Sequence, residues 1–239
     1  MNTRQDTVSP VQADAALGQI AVALPGATAV FRRLKLDYCC GGQISLRQAA
    51  ANKGLNLDDL VAELAALQRS DAQPAAQDAG TLIDHILTRY HEVHRVQLPE
   101  LVAMARRVEA VHRDHPAVPA GLAALLAHME EELLSHMAKE EQVLFPMLKA
   151  GGNPFVVHPI GMMRAEHVDH GLALDRLAEL TRDLTPPEDA CTTWRALYAG
   201  INQLRDDLIN HIHLENNVLF PMFDTAATTC GPTACACGG

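Results

Sequence analysis

The chain is short of aromatic residues, of positive charge and of long apolar runs, and each shortage closes off a class of protein. Phe, Trp and Tyr make up 4% of the 239 residues although 48% are hydrophobic. Apolar content carried by repeated Ala and Leu suits packed helices better than sheets. Lys and Arg number 19 against 29 Asp and Glu, a net charge of −10, which argues against nucleic acid or an anionic membrane as partner. No apolar run approaches the roughly 18 residues of a membrane span. The polar stretch Met1–Pro10 lacks the basic flank and apolar core of a secretion signal, so a cytoplasmic protein is expected. The six cysteines, with Cys39 and Cys40 adjacent and Cys230, Cys235 and Cys237 near the end, do not form a disulfide framework in a chain this long. They read as reduced thiols.

What is present is a pattern written twice: His136-Met-Ala-Lys-Glu140-Glu-Gln-Val143-Leu144-Phe145-Pro146-Met147 and His211-Ile-His-Leu-Glu215-Asn-Asn-Val218-Leu219-Phe220-Pro221-Met222. Each copy sets a histidine and a glutamate four apart, which on a helix stacks them on one face, able to close on a metal ion. A further histidine stands at nearly the same interval upstream of each copy, His91 and His167. Two hairpins related by an internal pseudo-two-fold would thus supply four His and two Glu, an inventory for two metal ions.

The length allows one or two domains. Residues 1–68 read as a small helical unit. Leu17–Leu24 and Ala27–Leu36 are short helix candidates, Asp37-Tyr-Cys-Cys-Gly-Gly42 is a turn, Ser45 caps a helix that Gly54 ends, and Asn56 starts the next. Residues 69–80 read as a polar, Ala-rich linker. Residues 81–225 carry four long helical patterns: one capped by Thr81 and running to about His112, one from Pro119 to Lys149, one from Pro159 to Leu184, and one begun by the capping box Thr185-Pro-Pro-Glu188. Short connections favour an up-down-up-down four-helix bundle. Pro99, Pro146 and Pro221 should kink it locally. Residues 226–239 form a Gly-rich tail whose thiols suit a soft metal or disulfide exchange as well as a plain tail.

Within the bundle, Leu126, Met129, Leu133, His136, Glu140, Val143 and Met147 step by 3 and 4, and Ile201, Leu204, Leu208, His211, Glu215, Val218 and Met222 repeat the stepping. Leu87, His91, His94, Leu98 and Leu101 continue it on the first helix, and Ile160, Met163, His167, His170, Leu174 and Leu177 on the third. Ionisable groups in such seams are costly unless paired or metal-bound. Two imidazoles and two bridging carboxylates give each ion four donors, an oxide or hydroxide bridge makes five, and a position stays open for a small ligand. His94 and His170, one turn further on, read more simply as packing residues than as extra ligands. His85, His112, His115, His128, His158 and His213 read as surface or loop residues. Glu166 directly precedes a candidate ligand and Glu132 lies one turn before His136, where either would line a proton route or merely be solvated.

Asp37-Tyr-Cys-Cys-Gly-Gly42, Arg89-Tyr-His91, Leu98-Pro-Glu-Leu101, the two His-x-x-x-Glu segments, Glu166-His167 and Cys191-Thr-Thr-Trp194 together resemble the RIC (repair of iron centres) family, haemerythrin-like di-iron proteins of the ScdA, DnrN, YtfE and NorA group. The resemblance covers about residues 15–223. It implies an all-α haemerythrin-like bundle behind a Cys-Cys-Gly-Gly module, with two non-haem iron ions, oxo- or hydroxo-bridged. It implies iron ligands His91, His136, His167 and His211, bridging Glu140 and Glu215, redox or iron-relay thiols at Cys39 and Cys40, and a proton route at Glu132 and Glu166. Donor type alone leaves manganese, zinc or copper open; iron rests on the resemblance. The implied function is nitrosative and oxidative stress response: binding nitric oxide, reducing it, and supporting repair of damaged iron-sulfur proteins as an iron donor, with an unknown electron donor, as monomer or homodimer. The alternative is a haemerythrin-type dioxygen-binding or sensing protein without turnover. The Cys-containing tail departs from the family pattern.

Overall fold

The computed structural model describes residues 11–24, 26–67 and 78–224. Among them the regular structure is helical, with only an isolated bridge between Ala16 and Ser45. The N-terminal module holds α1 (Leu17–Ala23), α2 (Ala27–Arg33), α3 (Leu46–Lys53) and α4 (Leu57–Leu67). Ser45 accepts from the Gln48 amide, Gly54 closes α3 at φ 64°, and Asn56 Oδ1 accepts from the amides of Asp58 and Asp59. Leu17, Phe31, Leu46 and Leu64 anchor a core belonging to this module.

The bundle follows. Helix α5 (Ala79–Ile86) passes through a π turn, Leu87–His91, into α6 (Glu92–Val111). Helix α7 (Leu122–Lys139) passes through Glu140–Leu144 into α8 (Phe145–Lys149), and a 3-10 turn, Pro154–Val156, leads to α9 (Val157–Leu180). Helix α10 (Thr192–Leu214) passes through Glu215–Leu219 into α11 (Pro221–Asp224). Helix α6 packs on α7 and α10, and α9 packs on the same two, which closes the up-down-up-down ring.

Several boundaries differ from the sequence expectation. Asp78, not Thr81, caps α5: its carboxylate accepts from the Thr81 amide at 3.0 Å and the Thr81 hydroxyl at 2.6 Å. Asp78, Ala79 and Gly80 therefore belong to the start of the helix, while residues 69–77 of the expected linker, and the expected tail, lie outside the described residues. Helix α9 stops at Leu180 because Arg182, Asp183 and Leu184 take φ of 52°, 55° and 57°, and Thr181 Oγ1 accepts from the Leu184 amide. Thr185-Pro-Pro-Glu188 starts no helix. Pro187 disfavours the α conformation at Pro186, and α10 begins only after Cys191.

The π turns correct the seam itself. Each inserts one residue, so Val143 is 52% exposed and Met222 42% exposed, while Leu144, Leu148, Leu219 and Phe223 are buried in their place. The Phe145 amide reaches back to the Glu140 carbonyl, and the Phe220 amide to that of Glu215. The widened turn accommodates the following proline, which has no N–H and whose ring would crowd a regular preceding turn. The departures expected at Pro146 and Pro221 thus take the form of π turns, whereas α6 continues through Pro99. One apolar cluster, with Leu98, Leu133, Leu174 and Leu208, lies on one side of the ionisable layer, and a second, with Ile86, Leu144, Met163 and Leu219, on the other.

Candidate metal centre

His91, His136, Glu140, His167, His211 and Glu215 are all buried to within 1% exposure, and they converge. The imidazoles pair across the hairpins: His91 Nε2 lies 3.2 Å from His211 Nε2, and His136 Nε2 lies 3.2 Å from His167 Nε2. Each carboxylate spans both pairs. Glu140 sets Oε2 3.4 Å from His91 and Oε1 3.5 Å from His136; Glu215 sets Oε1 3.1 Å from His211 and Oε2 3.0 Å from His167. The result is two groups, His91-Glu140-His211-Glu215 and His136-Glu140-His167-Glu215, each with ligand atoms within 4.8 Å of one another.

Without a cation these atoms are poorly served. Both oxygens of Glu140, Oε2 of Glu215 and Nδ1 of His211 are buried without a hydrogen-bond partner that satisfies them, a costly state for carboxylates. Burial, and then the nearby Glu215, push the Glu140 carboxyl well above the usual range. Burial opposes charge on Glu215 as well, yet the imidazoles of His211 and His167 hold its carboxyl well below that range. Burial, then the neighbouring imidazole, lowers His91 to about 4 and His136 to about 2, so both rings are neutral near pH 7, as metal ligands must be. The donor set fits a pair of cations, each taking two imidazole nitrogens and two carboxylate oxygens.

Outer partners orient three of the four rings. Glu141 accepts from His91 Nδ1 at 2.7 Å and from Arg95 at 2.7 Å. Glu166 accepts from His136 Nδ1 at 2.8 Å and from Lys139 at 2.6 Å. Asn216 Oδ1 meets His167 Nδ1 at 2.9 Å. Each leaves Nε2 free to coordinate. The fourth ring, His211, is instead stacked on Tyr90 at 5.4 Å and 3°, beside the Arg89 fork on buried Asp207 at 2.6 and 3.1 Å. Glu141, Asn216, Tyr90 and Asp207 were not singled out in the sequence; adjacency of Glu141 and Asn216 to the two bridging glutamates was the available signal. Glu132, by contrast, is exposed, with no hydrogen bond to the cluster among the described residues.

His94 and His170 are buried but join neither group. The ring of His94 lies 5.6 Å from that of His211, and the ring of His170 lies 5.0 Å edge-on from that of His136, so each imidazole pair has one such neighbour. His213 is not the surface residue expected: it is 5% exposed, packs edge-on against Tyr38 at 5.1 Å, and bonds Asn217 at 3.2 Å.

The Cys-Cys-Gly-Gly turn docks directly outside this layer. Asn216 Nδ2 donates to the Cys39 carbonyl at 3.1 Å and Asn217 Nδ2 to that of Tyr38 at 3.2 Å, while the Cys40 thiol donates to the His167 carbonyl at 3.3 Å. Asp37 gathers the amides of Cys39, Cys40 and Gly41. The two sulfurs are 3.7 Å apart. The hydrogen bond with Cys40, followed by burial, pushes the Cys39 thiol far above the ordinary thiol range.

Buried His and Glu side chains crossing a four-helix bundle in this way define a haemerythrin-like metal-binding protein. Residues 82–223 match the Hemerythrin HHE cation binding domain, and residues 13–68 match ScdA_N, a domain of unknown function. The chain is 51% identical over 210 residues to the protein named Iron-sulfur cluster repair protein YtfE of Cronobacter sakazakii, covering 87% of this chain and 95% of that one. It is 51% identical over 213 residues to the protein so named from an Enterobacter species, and 50% identical over 210 residues to that of Escherichia coli O1:K1, covering 87% of this chain and 96% of each relative. With both domains matched and the relatives spanned almost end to end, the chain belongs to the RIC (repair of iron centres) family. No helix among the described residues is long and apolar enough to cross a membrane.

Proposed function

We propose that this chain is a cytoplasmic di-iron protein of nitrosative and oxidative stress that binds and reduces nitric oxide and supports repair of damaged iron-sulfur clusters, acting as an iron donor. The observation that carries it is the pair of buried groups sharing Glu140 and Glu215. Iron, if held by His91, His136, His167, His211, Glu140 and Glu215, would supply redox chemistry and bind a diatomic ligand. Reduction of two nitric oxide molecules to nitrous oxide and water takes two electrons, from a separate electron donor, and two protons.

The chain's own part is positioning and proton handling. Glu140 and Glu215 hold the two positions together from facing hairpins. Glu141 and Glu166 take the Nδ1 protons of His91 and His136, fixing the tautomer that leaves Nε2 free. Glu166, partly exposed and paired with Lys139, stands between the cluster and solvent, the place for a group that hands protons inward. Repair is the role named for the relatives, and the contact of the Cys40 thiol with the His167 carbonyl, with Cys39 beside it, supports a part for these two thiols in relaying iron or electrons.

Anaerobic titration of the iron-loaded, reduced protein with nitric oxide tests the first half: an iron-nitrosyl spectrum and nitrous oxide in the headspace are expected, and absence of both removes it. Reactivation of a damaged [4Fe-4S] hydro-lyase by the iron-loaded protein, with matching loss of its iron, tests the second. Reactivation no faster than by free ferrous iron removes it.

A further inference from the structure

A second reactive site lies at the far end of the bundle. His112 follows α6 and Cys191 precedes α10, each about 20 residues along its helix from His91 or His211, or roughly 30 Å at the helical rise. His112 Nε2 is 3.2 Å from Cys191 Sγ. Cys191 occupies the N-cap of α10, but its side chain makes no capping bond to the helix amides, so the sulfur is committed only to the imidazole. The imidazole in turn is held in place. Its ring packs on Trp194 at 5.1 Å, and His115 closes edge-on against the same indole at 5.3 Å.

The pair opens onto a cleft of ≈ 320 Å³ whose remaining lining is Arg107, Val108, Val111, Thr192 and Thr193. Arg107 is exposed at this rim with no ion pair among the described residues. A thiol within hydrogen-bond reach of an imidazole, at the positive end of a long helix, has the arrangement of a nucleophilic sulfur. Arg107 and the first amides of α10 offer a place for carboxylate. The geometry points to Cys191 as a thiol-disulfide exchange site, with His112 as proton acceptor, for a low-molecular-weight disulfide bearing carboxylates.

The step balances without any further reactant. The Cys191 proton passes to His112 Nε2, Sγ attacks one sulfur of the disulfide, an Sγ–S bond forms as the S–S bond breaks, and the departing thiolate takes the proton back from His112. A second small thiol of the same class reverses it, attacking the outer sulfur of the mixed disulfide and restoring Cys191. The site uses none of the metal-binding residues, so it stands apart from the reading of the iron centre. Cys39, whose sulfur has Cys40 at 3.7 Å and no imidazole partner among the described residues, serves as the contrasting cysteine within the same chain.

The test uses the reduced full-length chain mixed with glutathione disulfide, followed by peptide mass spectrometry and by the fluorescence of Trp194, the chain's only tryptophan. Cys191 should acquire one glutathionyl group at least about tenfold faster than Cys39, with a fluorescence change at the same rate that Cys191→Ser abolishes. His112→Gln should slow the reaction about tenfold in protein of unchanged helicity and metal content. Arg107→Gln should slow glutathione disulfide but not the uncharged hydroxyethyl disulfide. Equal rates at Cys191 and Cys39, or an unaltered rate in His112→Gln, would overturn the assignment; an Arg107→Gln variant that treats both disulfides alike would overturn its carboxylate selectivity.

Discussion

At the scale of single residues, the centre is built from groups that are unfavourable until metal arrives. Glu140 is fully buried with neither oxygen satisfied by a hydrogen bond. Glu140→Leu, of similar volume, should therefore stabilise the metal-free protein by about 1–4 kcal/mol while removing metal retention. Denaturant unfolding of the two metal-free forms, beside metal analysis of each as purified, checks both signs. Asn216 presents the opposite case, a neutral amide that fixes His167 and is itself fixed by Cys39. Asn216→Leu should weaken binding at the His136–His167 position about 10–100-fold and, through the shared Glu140 and Glu215, loosen the His91–His211 position with it, as read by chelator competition. The six converging side chains were legible in the sequence because histidine and glutamate at seam positions have no apolar reason to be there. Of the groups that orient the rings, Glu166 was singled out, but Glu141 and Asn216 were not, because a Glu or Asn on a half-exposed helix face looks like any solvated residue until the chain is folded.

At the scale of the helix, the sequence misled in one systematic way. Stepping by 3 and 4 assumes a constant turn, and it carried the seam from Glu140 to Val143 and Met147; one extra residue in the π turn hands those places to Leu144 and Leu148. The trace it left was the proline shortly after each bridging glutamate, read as a kink and in fact accommodated by a widened turn. Val143→Ser should change stability by no more than about 0.5 kcal/mol, and Leu144→Ala should cost about 2–5 kcal/mol; chemical denaturation of the metal-free variants separates the two registers. The start of α10 failed for a related reason. Thr185-Pro-Pro-Glu188 has the residue types of a cap, but consecutive prolines restrict each other's backbone, and local composition cannot report that conflict.

For the molecule as a whole, the order of elements and the bundle topology were readable from periodicity and short connections, whereas the docking of the N-terminal module was not. The turn that Asn216 and Asn217 grip in that docking is shaped by close backbone approach within the module. The Gly18 amide donates to the Gly42 carbonyl at 2.8 Å, and a Cβ on Gly42 would lie 2.4 Å from the Tyr38 carbonyl oxygen. Gly42→Ala should thus cost about 1–3 kcal/mol, concentrated at the Tyr38–Gly42 turn. Hydrogen exchange there and around Asn216 and Asn217 should accelerate, with α6 and α7 unchanged.

Because Glu140 and Glu215 each reach toward both ion positions, neither position can be filled alone to full advantage. A first cation would bear the work of ionising Glu140, whose carboxyl burial and Glu215 push upward, and a second would find it ready. Loading should be cooperative, with the singly occupied species scarce at half saturation, and loss of one ion should leave the other weakly held. A centre loaded in this way would fill and empty in pairs.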